Sequence, residues 1–215
     1  MKFIISLIAF FLATTLCAQD PLRFQKDVDR IMTRDSGNVK KNPVIFTGSS
    51  SIGMWKDLDQ AFPDQNVLNH GFGGSHMSDL MYYYPRLVVS FKPKMVFIYE
   101  GDNDIASGKS PETILRTADS LVKGLRKALP GKTKIYFIAA KPSKARWHLK
   151  EQYMEFNAAL RTFTAQHKNV FFVDVWTPMI GSDGVVLQDI FIEDGLHMNS
   201  KGYEIWKEVI EPILK

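Results

Sequence analysis

Cysteine is almost missing: the 215-residue chain has one, Cys17. A single thiol cannot close a disulfide framework or build a cysteine metal site. Apolar runs of the roughly 20 residues that a membrane-spanning helix needs are also lacking. So are long runs of one charge. Basic residues number 27 and acidic ones 23, a formal net charge of +4, and the lysines are scattered. The densest basic stretches, Lys40-Lys41 and Lys141 to Lys150, are short and interleaved. Nucleic-acid binding requires a clustered basic face or a known motif. The chain is therefore expected to bind none, and its mild basicity reads as solvated lysine. Glycine (14) and proline (10) are too sparse for a collagenous or low-complexity chain. With 45% hydrophobic and 23% charged residues, disorder is excluded and one globular domain with a sizeable core is expected.

The start of the chain stands apart. Lys2 is followed by an almost wholly apolar stretch, Phe3 to Leu16, and then by Cys17-Ala18-Gln19. A basic start, a short apolar stretch and a small residue at the break read as a secretory signal peptide, residues 1–18. That leaves residues 19–215 as the mature domain, secreted or periplasmic, without cysteine and without an integral membrane span. Lipid anchoring through Cys17 fits poorly, because Leu16 stands where a small residue is expected.

The remainder alternates between two periods. Apolar residues recur at helical spacing over Pro21 to Arg34, over Ser78 to Ser90 (where Pro85 predicts a break or kink), over Ser110 to Leu129, over Leu149 to His167 and over Asn199 to Leu214. Between them lie short β-rich runs: Pro43 to Gly48, Asn66 to Asn69, Lys94 to Glu100, Lys134 to Ala140 and Asn169 to Asp174. The near-continuous apolar character of Met95 to Tyr99 fits a strand covered on both faces. Strands alternating with helices predict an α/β fold, a parallel sheet in a three-layer α/β/α sandwich.

In such sheets, sites gather in the loops beyond the carboxyl ends of the strands. Polar and glycine residues collect there: Gly48-Ser49-Ser50-Ser51, Gly71-Phe72-Gly73-Gly74-Ser75, Gly101-Asp102-Asn103-Asp104 and Asp194-Gly195-Leu196-His197. A serine hydroxyl becomes a nucleophile when a histidine removes its proton, and a carboxylate on the far ring nitrogen orients that histidine. Asp194 and His197, three apart, can present both side chains to one side of a turn. The backbone N–H groups of Ser50 and Gly74 and the amide of Asn103 offer donors for an oxyanion. His70 and His76 flank the second loop, either lining a pocket or solvated. Trp147 and Trp176 read as core or as pocket wall, and His148 and His167 as surface residues.

The four blocks, in this order, resemble those of the SGNH (GDSL-type) hydrolases. Phe46-Thr47-Gly48-Ser49-Ser50-Ser51 is similar to the first, with Ser49 in place of the usual aspartate. Asn69 to Gly74, Gly101 to Asp104 and Asp194 to His197 are similar to the others. The Gly-Ser-Ser-Ser-Ile run reaching Trp55 resembles the subgroup of platelet-activating-factor acetylhydrolase subunits and bacterial acetyl esterases. The resemblance implies a flavodoxin-like sandwich of five parallel strands in the order 2-1-3-4-5, and hydrolysis of carboxylic esters with no cofactor and no metal. It implies Ser50 as nucleophile, His197 as base, Asp194 as its orienter, and Ser50, Gly74 and Asn103 as the oxyanion hole. The expected partner is a small-molecule or carbohydrate ester, probed first with acetyl groups. Two alternatives stand beside it: a non-catalytic carbohydrate-binding protein on the same scaffold, and a metal-dependent hydrolase using His70, His76, Asp102, Asp104, Asp194 and His197.

Overall fold

The computed structural model describes residues 20–37 and 41–215. The proposed signal peptide, residues 1–18, lies outside the described residues. Five strands form one parallel sheet in the order β2-β1-β3-β4-β5: β1 (Val44–Gly48), β2 (Val67–Gly71), β3 (Met95–Tyr99), β4 (Lys134–Ile138) and β5 (Val170–Val173). Among the described residues eight α-helices surround it: α1 (Gln25–Asp35), α2 (Ser50–Gly53), α3 (Leu58–Ala61), α4 (Met77–Leu87), α5 (Asp102–Ala106), α6 (Pro111–Ala128), α7 (Lys150–Ala165) and α8 (Ser200–Leu214). The expected α/β/α sandwich and strand order are those observed. Among the described residues no helix is long and apolar enough to cross a membrane.

The strands sort their side chains by the two-residue period of the pleat. Ile45, Val96, Ile98, Ile135 and Phe137 face α1, α4, α6 and α7, in a cluster with Val28, Leu80, Leu121 and Leu160. Val44, Phe46, Phe97, Tyr99, Tyr136 and Ile138 face the other way, in a cluster with Ile52, Trp55, Trp206 and Ile210. On that second face Phe46, Phe97, Tyr136 and Phe171 stack across four strands, with centroids 4.5, 4.6 and 5.0 Å apart. Ser110 caps α6 by accepting from the N–H of Thr113, and Pro111 follows at the first helical position.

Three local expectations are corrected. Pro85 does not break α4, which runs on to Leu87. It stands two residues from the helix end, so its missing N–H removes one late hydrogen bond while Tyr83 and Leu87 stay packed in the core. Strand β2 extends to Gly71, beyond the apolar run, because Thr47 and Gly48 of β1 pair with His70 and Gly71. Lys141 is not a solvated lysine. It is buried, 1% exposed, just beyond β4. Trp147 and Trp176 are half-buried, stack on each other at 6.3 Å and pack against the edge of the core.

Candidate active site

Register brings three loops together. Gly48 at the end of β1 lies between Gly71 of β2 and Tyr99 of β3. The next residues of each strand therefore emerge side by side. They deliver Ser50 at the start of α2, Gly73-Gly74, and Asn103 in α5, all lining a cleft of about 650 Å³ with His197. Gly48 is at φ +125°, and a Cβ there would lie 2.0 Å from the Tyr99 carbonyl oxygen. Only glycine permits this approach. The N–H of Ser49 then donates to the same carbonyl at 3.0 Å, which sets the turn into Ser50.

The fourth arm precedes α8. The Asp194 carboxylate accepts from the N–H groups of Leu196 and His197 at 2.8 and 2.9 Å, folding the segment into a tight turn with Gly195 at φ +64°. Its other oxygen is 2.5 Å from His197 Nδ1. Desolvation pushes the Asp194 carboxyl up, but the hydrogen bonds from the His197 ring, the His197 N–H and the Leu196 N–H prevail and hold it at about 2. An ionised carboxylate only accepts, so Nδ1 carries the proton in the neutral ring. Nε2, 2.9 Å from the Ser50 hydroxyl oxygen, is then free to accept from it. Of the three consecutive serines, Ser49 and Ser51 are buried and Ser50 alone meets the imidazole.

Among the described residues the N–H groups of Ser50 and Gly74 have no backbone acceptor. Gly74 is at φ +82° with open space where a Cβ would stand, so conformation rather than crowding selects glycine. The Asn103 amide nitrogen donates to the Ser75 carbonyl at 3.0 Å. The Ser75 hydroxyl in turn donates to buried Glu100 at 2.6 Å.

Glu100 is 1% exposed, and its second oxygen has no hydrogen-bond partner among the described residues. Desolvation pushes its carboxyl well above the usual range; the Ser75 bond opposes this, and the charges of Asp104, Asp79 and Asp102 add to it. The folded protein thus keeps a proton that the unfolded chain sheds, so this group makes stability fall as pH rises above the ordinary glutamate value. Melting temperatures of the wild type are expected to decline between pH 5 and 8, with a shallower decline in Glu100→Gln. Identical slopes for the two proteins would contradict a neutral Glu100.

The histidines of the second loop are not cleft residues. His70 is fully buried, its ring nitrogens 2.6 Å from the Leu87 carbonyl and 3.1 Å from Asp35. His76 is buried against Asp104 at 3.2 Å and Lys109 at 2.9 Å. With His197 committed to Asp194, these donors are dispersed. Among the described residues no three His, Cys, Asp or Glu side chains converge as a metal-binding group.

Two contributions to the cleft escaped the sequence. One wall is α1, through Asp27, Arg30, Ile31 and Arg34. Salt bridges from Arg23 to Asp79 and from Arg86 to Asp29 hold this segment on α4, and Arg34 donates to the Asn69 carbonyl at 2.5 Å. The other is Arg146, in the loop after β4, which also lines the cleft. The amphipathic period of α1 marks which face is covered, but not that its edge borders a cleft.

Comparison with known proteins agrees with this architecture. A Streptococcus pneumonia protein described as a platelet activating factor superposes with a TM-score of 0.80 at 18% identity, covering 90% of this chain and 94% of its own. A Bacteroides fragilis acylhydrolase gives 0.73 at 20% identity, over 92% and 98% of the two chains. A Geobacillus acetyl-xylooligosaccharide esterase gives 0.63 at 15%, over 81% and 94%. No curated protein sequence matches the chain. At these identities the superpositions speak for the fold. Residues 44–205 match the GDSL-like Lipase/Acylhydrolase family, and with three quarters of its length so matched the chain belongs to that family and is a carboxylic ester hydrolase.

Proposed function

We propose that the protein is an exported serine esterase that removes short acyl groups, acetyl foremost, from carbohydrate or other small polar alcohols. The observation that carries this reading is the relay from Ser50 through His197 to Asp194, at 2.9 and 2.5 Å. In the first step Ser50 Oγ attacks the ester carbonyl carbon while its proton passes to His197 Nε2. Asp194 holds the ring and stabilises the imidazolium. The tetrahedral oxyanion is met by the N–H groups of Ser50 and Gly74 and by the remaining amide N–H of Asn103. Collapse expels the alcohol, which takes the proton from His197. Water, deprotonated by the same nitrogen, then releases the acid and restores Ser50.

The substrate preference rests on the character of the cleft and on likeness. Apolar groups, Ile31, Met54, Phe72 and Leu196, share its lining with four charged side chains, Asp27, Arg30, Arg34 and Arg146. The four charged side chains offer hydrogen bonds to a hydroxyl-rich leaving group, which a long alkyl chain would leave unpaired. The superposable Geobacillus enzyme is named for acetyl-xylooligosaccharides. Export rests on the N-terminal sequence alone.

A chromogenic ester series from acetate to octanoate, run beside acetylated xylan and acetylated amino sugars, tests this. The expected result is the highest kcat/KM on acetate, falling along the series, with acetate released from at least one of the acetylated sugars. A maximum at octanoate would contradict the reading.

A further inference from the structure

The position preceding Asn103 is a buried charge hub. Asp102, 4% exposed, is buried behind the cleft residues Asn103 and Arg146 that it neighbours or bonds. One of its carboxylate oxygens accepts from Arg146 at 2.5 Å and from the Tyr153 hydroxyl; the other accepts from the Tyr99 hydroxyl at 2.7 Å. Lys141 Nζ stands 3.8 Å away and donates to the Leu196 carbonyl, beside His197, at 2.7 Å. Burial alone would push the Asp102 carboxyl up, but the Lys141 and Arg146 cations and the two hydroxyls hold it below its usual value. Arg146 spends one guanidinium nitrogen on Asp102, bonding its carboxylate and, at 3.2 Å, its backbone carbonyl. With the other it donates to the Asn103 side-chain oxygen at 3.1 Å.

This fixes Asn103 in a way that a free asparagine is not fixed. A terminal amide torsion is broad, and its two ends differ only by their partners. Here Arg146 can only donate and the Ser75 carbonyl can only accept. Oxygen therefore faces Arg146 and nitrogen faces Ser75, which leaves one N–H for the cleft. Flipping the amide would set donor against donor and acceptor against acceptor. Resting on the reading of Asn103 given above, we infer that Arg146, anchored by Asp102, is a positioning residue that locks the Asn103 amide with its N–H toward the oxyanion. A lysine cannot replace it, because a single ammonium lacks the planar fork that spans both residues.

A double-mutant cycle on acetate ester turnover tests the inference. Asn103→Ala is expected to lower kcat by about 10²–10³-fold with KM nearly unchanged. Arg146→Lys, which keeps a positive charge beside Asp102, is expected to lower kcat by about 10–100-fold, again with KM nearly unchanged. Added to Asn103→Ala, it should cost less than about twofold, because the amide it positions is gone. Tyr153→Phe removes a hydroxyl from the same carboxylate without touching the fork, and should cost no more than about threefold in kcat, less than Arg146→Lys. Equal losses from Arg146→Lys in both backgrounds, a loss in KM alone, or a matching loss in Tyr153→Phe would each overturn the inference while leaving Asn103 as a donor. A normal kcat in Asn103→Ala would overturn the reading of Asn103 itself, and the inference with it.

Discussion

Ser50→Ala is expected to lower kcat by about 10⁴-fold or more while the protein melts within about 2 °C of the wild type. The loss is large because the proposed nucleophile, base and orienter would act as one unit, so removing the serine would leave only binding and the proposed oxyanion donors. Folding should be spared. The Ser50 side chain is half-exposed, and its hydroxyl bonds His197 alone among the described residues. Ser51→Ala supplies the comparison. Its side chain is buried, one position along the same short helix, and no hydrogen bond joins it to His197. It should retain turnover within about threefold, as a change outside the reacting constellation. Rates measured on both variants, with circular dichroism as a check on folding, would settle whether Ser50 or its neighbour Ser51 reacts. Full activity in Ser50→Ala would end the proposed mechanism.

Gly48→Ala is expected to be the most damaging single methyl that this sheet can receive. The added carbon would lie 2.0 Å from the Tyr99 carbonyl oxygen and 2.7 Å from its carbon, both backbone atoms of the paired strand. No rotamer change can relieve that overlap, so β1 and β3 must part. The φ of +125° adds backbone strain for any L side chain. Together these should cost about 4 kcal/mol or more and lower the melting temperature by on the order of 10 °C. Gly131→Ala makes the contrast: no atom lies within 4 Å of its added carbon, and its φ is not positive. It should be neutral or stabilising by about 0.5 kcal/mol. Equal melting temperatures for the two variants would refute the steric account.

The elements that the sequence disclosed are those with a clean period and punctuation. Met95 to Tyr99 is apolar without interruption because both of its faces are covered. Ser110-Pro111 announces α6 because cap and first-turn chemistry are local. The four loop blocks were legible because glycine and polar residues at strand ends are compositionally odd. What stayed hidden depends on partners far along the chain. Lys141 looks like any surface lysine until Asp102 and the Leu196 carbonyl meet it. His70 looks like a loop residue until Asp35 and the Leu87 carbonyl enclose it. Arg146 and Asn103 are 43 positions apart, and no periodicity links them. The short helices α2, α3 and α5, of four or five residues, span too few turns for a period to emerge.

The wall formed by α1 separates two properties that are usually discussed together. Ser50, Asn103, Asp194 and His197 all fall within the family-matched stretch, 44–205, whereas α1 ends at Asp35, ahead of it. The groups proposed to react and one wall of the cleft therefore lie in different lengths of polypeptide. Changes along residues 25–35 can redraw the range of esters admitted while the reacting groups stay as they are. Two members that share all four blocks need not share a substrate. Exchanging this one helix between them is the smallest graft that could carry a preference from one to the other.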